Sequence, residues 1–573
     1  MAQRNLEWYS VHTYGVALRE MAQRNVEWYS VHKNSVALCE MAQRNVEWHS
    51  LHTNSVALPD PYTIFVFADL FDILVFLISV DSHPLQMETA AQEILTDKTI
   101  NPVFQRAYNV RGWVNTRAYE IKHEMALGER KPFDEVVIHY GDPHAFGQSP
   151  ITFLRQCLAC LLCPQFLNDP QFPKDVKEKA RRILKATPGF AISSYTNTFG
   201  LRLIREDVAK YISRRDGYPA DVDDVILTNG GAIGIQIGLA SLGTDMPNGK
   251  LKPGLMIPIP VFPQYKSRIV EFNLYEIPYY LEEENNWSFN IGEMKKAIDK
   301  ARPHCEPRGL VLINPGNPTG QILSYDNIRE VIKFCVREKL VLFADEVYQE
   351  TVFIKGVPFH SCRKVLRDLG SEYNDFQLMS LNSASKGFYG ECGLRGGYLE
   401  LVGFSNAVKS QFRDMMSPSV SGSTIGQAAM SLICCPPQPG DESYEIFIQE
   451  KTAILESYER KAKITTAMLN SLEGVTCNEV TGALYAFPRI RLPQKAIEEA
   501  KRNNHNPDGF YCWQLMETTG IVPTPGENYG QKEGTYHFRL TILPSEEKIA
   551  PMYERLSKFH KEFMDKYKDN KEN

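Results

Sequence analysis

Residues 376–397 read FQLMSLNSASKGFYGECGLRGG, a short apolar run followed by a lysine among small residues and an arginine before two glycines. Short apolar runs are typical of strands buried on both faces of a parallel sheet. Two further runs have this form: GLVLI at 309–313 precedes NPGNPTG, and LVLFA at 340–344 precedes DEVYQE. Longer amphipathic segments lie between them, so the sequence predicts an α/β fold with a mostly parallel sheet.

Polar residues follow each of these three runs directly. In open α/β sheets, ligands bind at the carboxyl ends of the strands, so the three segments should meet in one crevice. Singly, each has an ordinary explanation: turn chemistry for NPGNPTG, a helix cap for Asp345 and a solvated side chain for Lys386. Together they place an amide, a carboxylate, a phenol and an amine after successive strands.

That combination suits pyridoxal phosphate. This cofactor needs a lysine for its aldehyde and a carboxylate that keeps its pyridine nitrogen protonated. Lys386 and Asp345 fit those roles, and a carboxylate beside a cation has its pKa lowered by about 1–3 units. Asn317 and Tyr348 can donate hydrogen bonds to the phenolate oxygen of the cofactor.

A phosphate site is predicted from separate residues. Ser383 and Arg395 can hold phosphate, the arginine with two parallel hydrogen bonds. The turn LTNGGAIG at 227–234 precedes an apolar helical stretch, so its amides can face a phosphate at a helix N-terminus.

From about residue 101 to about residue 568, the chain resembles the alanine aminotransferases of the fold-type I pyridoxal-phosphate enzymes. ADEVYQE and NPGNPTGQ occur broadly among class I aminotransferases. SASKGFYGECGLRGGY, GTYHFRLTILP and KPFDEVVIHYGDPHAFGQSPITFLRQ complete the resemblance, and the GECG and GDPHAFGQ segments are closer to the alanine branch.

The resemblance implies a role for each matching position. Lys386 would be the catalytic lysine, linked to the cofactor. Arg539 would bind the substrate α-carboxylate, with Gly141 and Asn317 beside it. The implied cofactor-binding residues are Gly231, Ala232, Phe262, Asn317, Asp345, Tyr348, Ser383, Lys386, Arg395 and, across a dimer interface, Tyr195.

Two of these positions depart from the family pattern. The phosphate turn usually reads Gly-Ala-Ser, whereas residues 230–232 read Gly-Gly-Ala, so Ala232 offers an amide but no hydroxyl. One lost hydrogen bond to a charged group costs roughly 1.5–3 kcal/mol. Phe262 stands where the family usually has a ring-stacking tyrosine, and stacking survives that change.

The implied activity is transfer of an amino group between L-alanine and 2-oxoglutarate, giving pyruvate and L-glutamate by ping-pong kinetics. A glutamate–glyoxylate aminotransferase, or another class I aminotransferase, would keep the same cofactor residues and remains an alternative. A non-enzymatic protein that binds the cofactor is a more remote one. The implied partners are small amino and keto acids and a second copy of the chain, in a homodimer with shared active sites.

A large cofactor-binding domain is expected at residues 190–415. A smaller α+β domain would combine residues 95–189 with 416–565, before a tail at 566–573. No metal site is expected. Cys157, Cys160 and Cys163 have iron–sulfur spacing but lack a fourth cysteine at the expected distance, which favours an apolar core helix.

Composition restricts the class further. A formal net charge of -6 over 573 residues argues against a nucleic-acid partner. Twelve cysteines scattered through a long chain favour reduced thiols inside the cell. We expect the cytoplasm, with the mitochondrion as the alternative.

The N-terminal region is a separate problem. Residues 1–60 are three copies of one 20-residue unit, predicted to be disordered or artefactual, and residues 61–94 hold an apolar segment and a linker. The stretch 62–80 has the length of a membrane helix but contains Asp69 and Asp72. Each aspartate at a bilayer centre costs roughly 2.5–3.5 kcal/mol, so a membrane anchor stays open beside a surface-docked helix or an artefact.

Overall fold

The computed structural model describes residues 95–106, 109–243 and 251–568. The repeats at 1–60, the segment at 61–94 with its membrane alternative, and residues 569–573 of the tail lie outside the described residues. Contacts divide the chain into two units, 1–96 and 97–573, and the elements named below all belong to the second.

The strands of the described residues form three sheets. In chain order they are β1 (Val137–Ile138), β2 (Val225–Thr228), β3 (Lys252–Ile259), β4 (Tyr275–Tyr280), β5 (Cys305–Ile313), β6 (Val341–Asp345), β7 (Leu378–Ser383), β8 (Gly397–Val402), β9 (Val475–Thr476), β10 (Tyr485–Ala486), β11 (Arg489–Ile490), β12 (Ile521–Val522), β13 (Thr524–Pro525) and β14 (Tyr536–Thr541).

Helices flank the sheets. In chain order they are α1 (Pro102–Gln105), α2 (Trp113–Ala126), α3 (Thr152–Leu162), α4 (Lys174–Ala186), α5 (Arg202–Asp216), α6 (Gly231–Ala240), α7 (Gln264–Glu271), α8 (Ile291–Ala301), α9 (Tyr325–Glu338), α10 (Cys362–Asp368), α11 (Asn406–Met416), α12 (Thr424–Cys434), α13 (Tyr444–Asn470), α14 (Gln494–Arg502), α15 (Pro507–Thr519) and α16 (Glu546–Lys566).

The largest sheet has seven strands in the order β2-β8-β7-β6-β5-β3-β4. Strand β8 runs antiparallel to both of its neighbours, and the other pairs are parallel. The three predicted runs become the neighbouring strands β5, β6 and β7. Strand β5 begins four residues earlier than its run, and β7 extends to Ser383. The predicted α/β class with a mostly parallel sheet is confirmed.

The apolar runs are continuous because both faces of this sheet are covered. Successive side chains of a strand point to opposite faces. Leu310 and Leu312 pack on one face against the helices α8, α9 and α10. Val311 and Ile313 pack on the other face against α6, α7 and α11.

Side-chain caps fix where several flanking helices begin. Asn290, Ser324, Ser361 and Ser405 each accept a hydrogen bond from a backbone amide in the first turn of α8, α9, α10 and α11. Such caps satisfy amides that have no partner inside the helix. Helix α6 is different, because its preceding residue Gly230 has a φ of 83° and offers no side-chain cap.

A second, antiparallel sheet carries residues from the C-terminal third of the chain. Strand β14 pairs with β10, β11 and β13. Thr524 lies opposite Arg539, and Tyr485 lies opposite Thr541. The small sheet pairs β1 with β12, and β1 ends shortly before Gly141 in the chain. These strands therefore bring Arg539 and Tyr485 into one neighbourhood with the 139–141 segment.

The helix that carries Cys157 and Cys160 is an apolar core helix, as the sequence favours. Cys157 and Cys160 lie buried on α3 within an apolar cluster, where cysteine packs as a small hydrophobic residue.

Within the described ranges, we find no cluster of His, Cys, Asp and Glu side chains arranged to hold a metal. In the same ranges, none of the helices has the length and apolarity needed to cross a bilayer.

Candidate active site

Three neighbouring strands end at one edge of the large sheet and deliver polar residues there. The register pairs Ile313 with Asp345 and Asp345 with Leu381. The segments that follow β5, β6 and β7 therefore leave the sheet side by side. Asn317, Tyr348 and Lys386 all lie within five residues of these strand ends, which is the crevice where α/β sheets bind ligands.

Asp345 is the last residue of β6 and is buried. Its Oδ2 accepts a hydrogen bond from the phenol of Tyr265 at 2.9 Å. Its Oδ1 has no hydrogen-bond partner among the described residues. A buried carboxylate oxygen without a partner is costly, so Oδ1 is suited to accept a hydrogen bond from a ligand.

Burial raises the pKa of Asp345 to about 6, although the hydrogen bond from Tyr265, the nearby Val347 amide and the charge of Lys386 all act in the opposite direction. The lowered pKa that the sequence predicts applies to a carboxylate beside the pyridinium cation of the bound cofactor. Lys386 donates elsewhere, so in the chain by itself desolvation is the larger effect.

Lys386 follows the end of β7 by three residues, and its Nζ donates a hydrogen bond to the carbonyl oxygen of Gly141. The same nitrogen lies 5.9 Å from the centre of the Tyr348 ring. A Cβ atom at position 141 would lie 1.9 Å from the Tyr485 hydroxyl oxygen and 3.1 Å from the Lys386 Nζ. Only glycine lets the backbone approach the amine this closely.

Arg539 is a buried cation on β14. Its Nη1 donates to Asn317 Oδ1 at 3.1 Å, and its Nη2 donates to the His139 carbonyl oxygen at 3.3 Å. Its Nε is buried and has no hydrogen-bond partner among the described residues. The guanidinium carbon lies 4.1 Å from the centre of the Tyr485 ring. Neither hydrogen-bond partner is a carboxylate, so this cation is suited to bind an anionic ligand.

A chain of polar contacts joins the arginine to the phenols. The amide of Asn317 accepts from Arg539 through its oxygen, and its nitrogen lies 3.5 Å from the Tyr348 hydroxyl. The hydroxyls of Tyr348 and Tyr485 are 2.9 Å apart. The site thus offers an amide N–H and two phenol O–H groups close to the Lys386 amine.

The predicted phosphate residues also lie together. Helix α6 begins at Gly231 with its first amides uncapped by a side chain. Arg395 donates to the backbone oxygen of Asn229 in this turn, and a Cβ atom at Gly230 would lie 2.5 Å from the Arg395 Nη2. The Ser383 Oγ lies 3.9 Å from the Cβ position of Gly231. Amides, a cation and a hydroxyl at one helix N-terminus suit a phosphate.

Three other predicted residues are placed less centrally. Ala232 is the second residue of α6, and its carbonyl oxygen accepts from the Gln264 side chain at 3.0 Å. Phe262 lies two residues before Gln264, is half-buried and packs against the apolar cluster that includes Ile235 of α6. Tyr195 lies between α4 and α5 with 77% of its surface exposed and takes part in none of the contacts above. Its role across a dimer interface remains a prediction.

Sequence reasoning missed three tyrosines of the site. Tyr265 anchors Asp345, and its signal was present, because it lies one helical turn after Phe262 at the start of α7. Tyr485 and Tyr529 pack against the Arg539 guanidinium. They come from separate segments far along the chain, and no spacing connects them to the lysine motif.

Residues 164–556 match the family described as aminotransferase class I and II. The chain therefore belongs to that family, whose usual cofactor is pyridoxal phosphate. Alanine aminotransferase 2 of Xenopus laevis is 46% identical over 478 residues, which cover 83% of this chain and 88% of that protein. Alanine aminotransferase 1, mitochondrial, of Arabidopsis thaliana is 44% identical over 483 residues, covering 83% and 88%. Within the family, the chain belongs with the alanine aminotransferases.

A solved structure shows the same fold at lower sequence identity. Alanine aminotransferase from Pyrococcus furiosus superposes with a TM-score of 0.62 at 18% identity, covering 81% of this chain and 99% of that one. At this identity the likeness shows the fold, and the mostly parallel sheet is consistent with the fold-type I architecture of the family.

Proposed function

We propose that the chain catalyses reversible transfer of an amino group between L-alanine and 2-oxoglutarate, using pyridoxal phosphate bound at the site described above. The observation that carries the proposal is that Lys386, Asp345 and Arg539 lie in one site while each keeps binding capacity. The Lys386 amine lies beside Gly141. Among the described residues, Asp345 Oδ1 has no hydrogen-bond partner and Arg539 has no carboxylate partner. Relatives at 43–47% identity carry the name alanine aminotransferase.

The residues of the chain fit this cofactor. Asp345 Oδ1 would accept the pyridine N–H, and the amide nitrogen of Asn317 with the Tyr348 hydroxyl would donate to the phenolate oxygen. The turn at Gly231, with Ser383 and Arg395, would hold the phosphate. When bound, pyridoxal phosphate supplies an electron sink that stabilises negative charge at the substrate Cα.

Arg539, Lys386 and the Gly141 carbonyl group would each have a separate role in the proton transfer. Arg539 would bind the substrate α-carboxylate and so orient the Cα–H bond toward Lys386. The amine of Lys386 would take that proton as a general base and, as a general acid, would deliver it to the aldehyde-derived carbon of the cofactor. The carbonyl oxygen of Gly141, which accepts from Lys386, fixes the direction of the amine during this transfer. Orientation of this kind is worth several kcal/mol of the barrier.

We also propose an oligomeric state, a cellular location and a domain division for the chain. The active sites are shared in a homodimer, to which the exposed Tyr195 contributes its hydroxyl. The protein acts in the cytoplasm, with the mitochondrion as the alternative, and the Arabidopsis relative is named mitochondrial. The cofactor domain spans 190–415, and the smaller domain combines 95–189 with 416–565. Strands β2 to β8 lie inside the first range, which supports this division.

The test is a comparison of amino acceptors. The purified chain, loaded with pyridoxal phosphate, is given L-alanine with 2-oxoglutarate, glyoxylate or oxaloacetate, and pyruvate formation is followed. We expect the highest kcat/KM with 2-oxoglutarate. A preference for glyoxylate, together with faster glycine formation when L-glutamate replaces L-alanine as donor, would assign the glutamate–glyoxylate alternative instead. A chain that binds the cofactor but forms no pyruvate with any acceptor would be the non-enzymatic homologue.

A further inference from the structure

The loop at 141–150 and the segment at 386–392 pack against each other beside the Lys386 amine. The Gln148 side chain donates to the Phe388 carbonyl oxygen at 2.8 Å. Gly390 has a φ of 66°, and a Cβ atom there would lie 2.9 Å from the ring of Pro143. The proposed cofactor chemistry uses none of these contacts. They do determine where the Gly141 carbonyl group lies relative to Lys386.

Glu391 is the charged centre of this interface. Its side chain is only 3% exposed, whereas that of Arg155 is 46% exposed. Arg155 donates from Nε to Oε1 at 2.9 Å and from Nη2 to Oε2 at 2.8 Å, which is a two-point ion pair. Burial favours the neutral acid, but the nearby His144 ring and the hydrogen bonds from Arg155 outweigh it and lower the pKa of Glu391. Glu391 is therefore an ionised, buried anchor.

His144 provides the second contact with Glu391 from within the loop. Its Nδ1 lies 2.9 Å from the Gln148 carbonyl oxygen, which can only accept, so we assign a hydrogen to Nδ1. Its Nε2 lies 3.6 Å from the Glu391 Oε2, and this carboxylate raises the pKa of His144. Glu391 and Arg155 are the charged groups that face the ring. A protonated ring carries a positive charge 3.6 Å from the Glu391 carboxylate and is attracted to it.

The loop is held from its other side as well. The Tyr458 hydroxyl of α13 donates to the Gln148 Oε1. The Cys392 Sγ lies 3.7 Å from the Gly141 carbonyl oxygen and donates to the Ser385 carbonyl oxygen at 2.9 Å. The Gly141 carbonyl oxygen thus contacts Lys386 and Cys392 of the 386–392 segment, while Glu391 of the same segment forms the ion pair with Arg155 at the start of α3, just after the loop.

We propose that Glu391 is a positioning residue for the amino transfer. Through its ion pair with Arg155 in the first turn of α3, where the loop ends, and its attraction for His144 within the loop, it holds the 141–150 loop so that the Gly141 carbonyl oxygen stays on the Lys386 amine. Glu391 itself contacts none of the groups assigned to cofactor or substrate, so it acts only through the loop. The inference depends on the proposed function and deepens it, because it gives the GECG segment a role in proton transfer.

The test replaces Glu391 by glutamine, which keeps the shape and removes the charge. We expect kcat with L-alanine to fall by roughly 10- to 100-fold, since misplacement by about 1 Å costs on the order of 100-fold. The KM for L-alanine should stay within about threefold, because Arg539 is untouched. The deuterium isotope effect with α-deuterated alanine should rise as proton transfer becomes more fully rate-limiting.

A measurement that does not depend on turnover accompanies the kinetics. Amide hydrogen exchange in peptides covering 141–150 should speed up by about tenfold in Glu391→Gln, because local opening becomes easier. The double variant Glu391→Gln/Arg155→Met should be about as slow as Glu391→Gln alone, since partners in one ion pair are not additive. Should Glu391→Gln fail to fold, Arg155→Met alone takes its place, because its side chain is nearly half exposed.

Asp207→Asn is the matched control. Asp207 forms a two-point pair with Arg182 at 2.6 and 2.7 Å, with a buried carboxylate and a partly exposed arginine. This pair makes none of the contacts of the active site, so the variant should lose stability without changing the isotope effect or the exchange of the 141–150 loop.

Two outcomes would overturn the positioning role. One is a Glu391→Gln enzyme whose kcat, isotope effect and loop exchange all equal those of the wild type. The other is an Asp207→Asn enzyme with the same changes, because the effect would then be general destabilisation. A wild-type chain without alanine-dependent turnover would instead refute the proposed function, and the exchange measurement would still decide whether Glu391 holds the loop.

Discussion

Tyr265 donates its phenol hydrogen to the Asp345 Oδ2 over 2.9 Å, while Asp345 Oδ1 has no hydrogen-bond partner among the described residues. The phenol fixes the carboxylate plane at the end of β6 and leaves one oxygen directed for another donor. Burial without a full set of partners is also why the pKa of Asp345 lies at about 6. A bound pyridine N–H would complete the set and favour the ionised form.

Asp345 should therefore make the cofactor-free protein sensitive to pH. Its pKa of about 6 exceeds the usual value of about 3.9. Above pH 6 the buried carboxylate is ionised, which lowers the free energy of unfolding. This loss disappears as the pH falls towards 4, because the folded protein takes up the proton at a higher pH than the unfolded chain does. Asp345→Asn should raise the unfolding free energy by up to roughly 3 kcal/mol at pH 8 and by about half of that at pH 5.

Denaturant unfolding of the cofactor-free wild type and variant at both pH values checks this expectation. An equal difference between the two proteins at pH 5 and pH 8 would contradict it. In the presence of pyridoxal phosphate the order should reverse, because the asparagine cannot hold the pyridine nitrogen in its protonated form.

Arg539→Lys should weaken the binding of both the amino acid and the keto acid. The lysine keeps the charge but loses the planar fork that rests on the Tyr485 ring. Loss of a hydrogen bond to a charged group costs roughly 1.5–3 kcal/mol, so KM for both substrates should rise by about 10- to 100-fold. Arg489→Lys, on the neighbouring strand β11, is the control and should leave KM unchanged. Unchanged KM values in Arg539→Lys would remove this arginine from the site.

Gly141→Ala should abolish most of the activity. The new methyl group would lie 1.9 Å from the Tyr485 hydroxyl oxygen and 3.1 Å from the Lys386 Nζ, so the loop or the amine must move. We expect kcat to fall by about 100-fold. Gly393→Ala is the control, because a Cβ atom there meets no atom within 4 Å. Equal activity of the two variants would refute the close approach at Gly141.

Ala232→Ser should tighten cofactor binding. The turn before α6 lacks the hydroxyl that the family usually has at this position, and one hydrogen bond to a phosphate is worth roughly 1.5–3 kcal/mol. The Kd for pyridoxal phosphate, followed by visible absorbance, should fall by about tenfold or more. Ala240→Ser, at the far end of the same helix, should have no effect. Identical Kd values for Ala232→Ser and the wild type would mean that residue 232 does not reach the phosphate.

The large sheet could be predicted from the sequence because its strands are buried on both faces. Alternate residues such as Leu312 and Ile313 face different layers of helices, so the apolar run has no polar interruption. Because β5, β6 and β7 are parallel neighbours, the polar residues that follow them in the sequence meet at one edge of the sheet. The family relationship was predicted from the motifs around Lys386, and the comparisons confirm it.

Contacts between distant segments could not be predicted in this way. Tyr485 reaches the site from β10, and its spacing from Tyr348 carries no sequence signal. The partners of Glu391 lie on a loop and a helix more than two hundred residues earlier. The pKa of Asp345 depends on how completely the fold excludes water, which the residue types alone do not determine.

We propose above that Lys386 carries the proton in an alanine-dependent amino transfer. The most direct measurement follows pyruvate formation from L-alanine and 2-oxoglutarate by the wild type and by Lys386→Ala, both loaded with pyridoxal phosphate. We predict turnover in the wild type and a loss of at least about 1,000-fold in the variant, in line with removal of a catalytic acid–base group. Turnover at the wild-type rate in Lys386→Ala would contradict the claim.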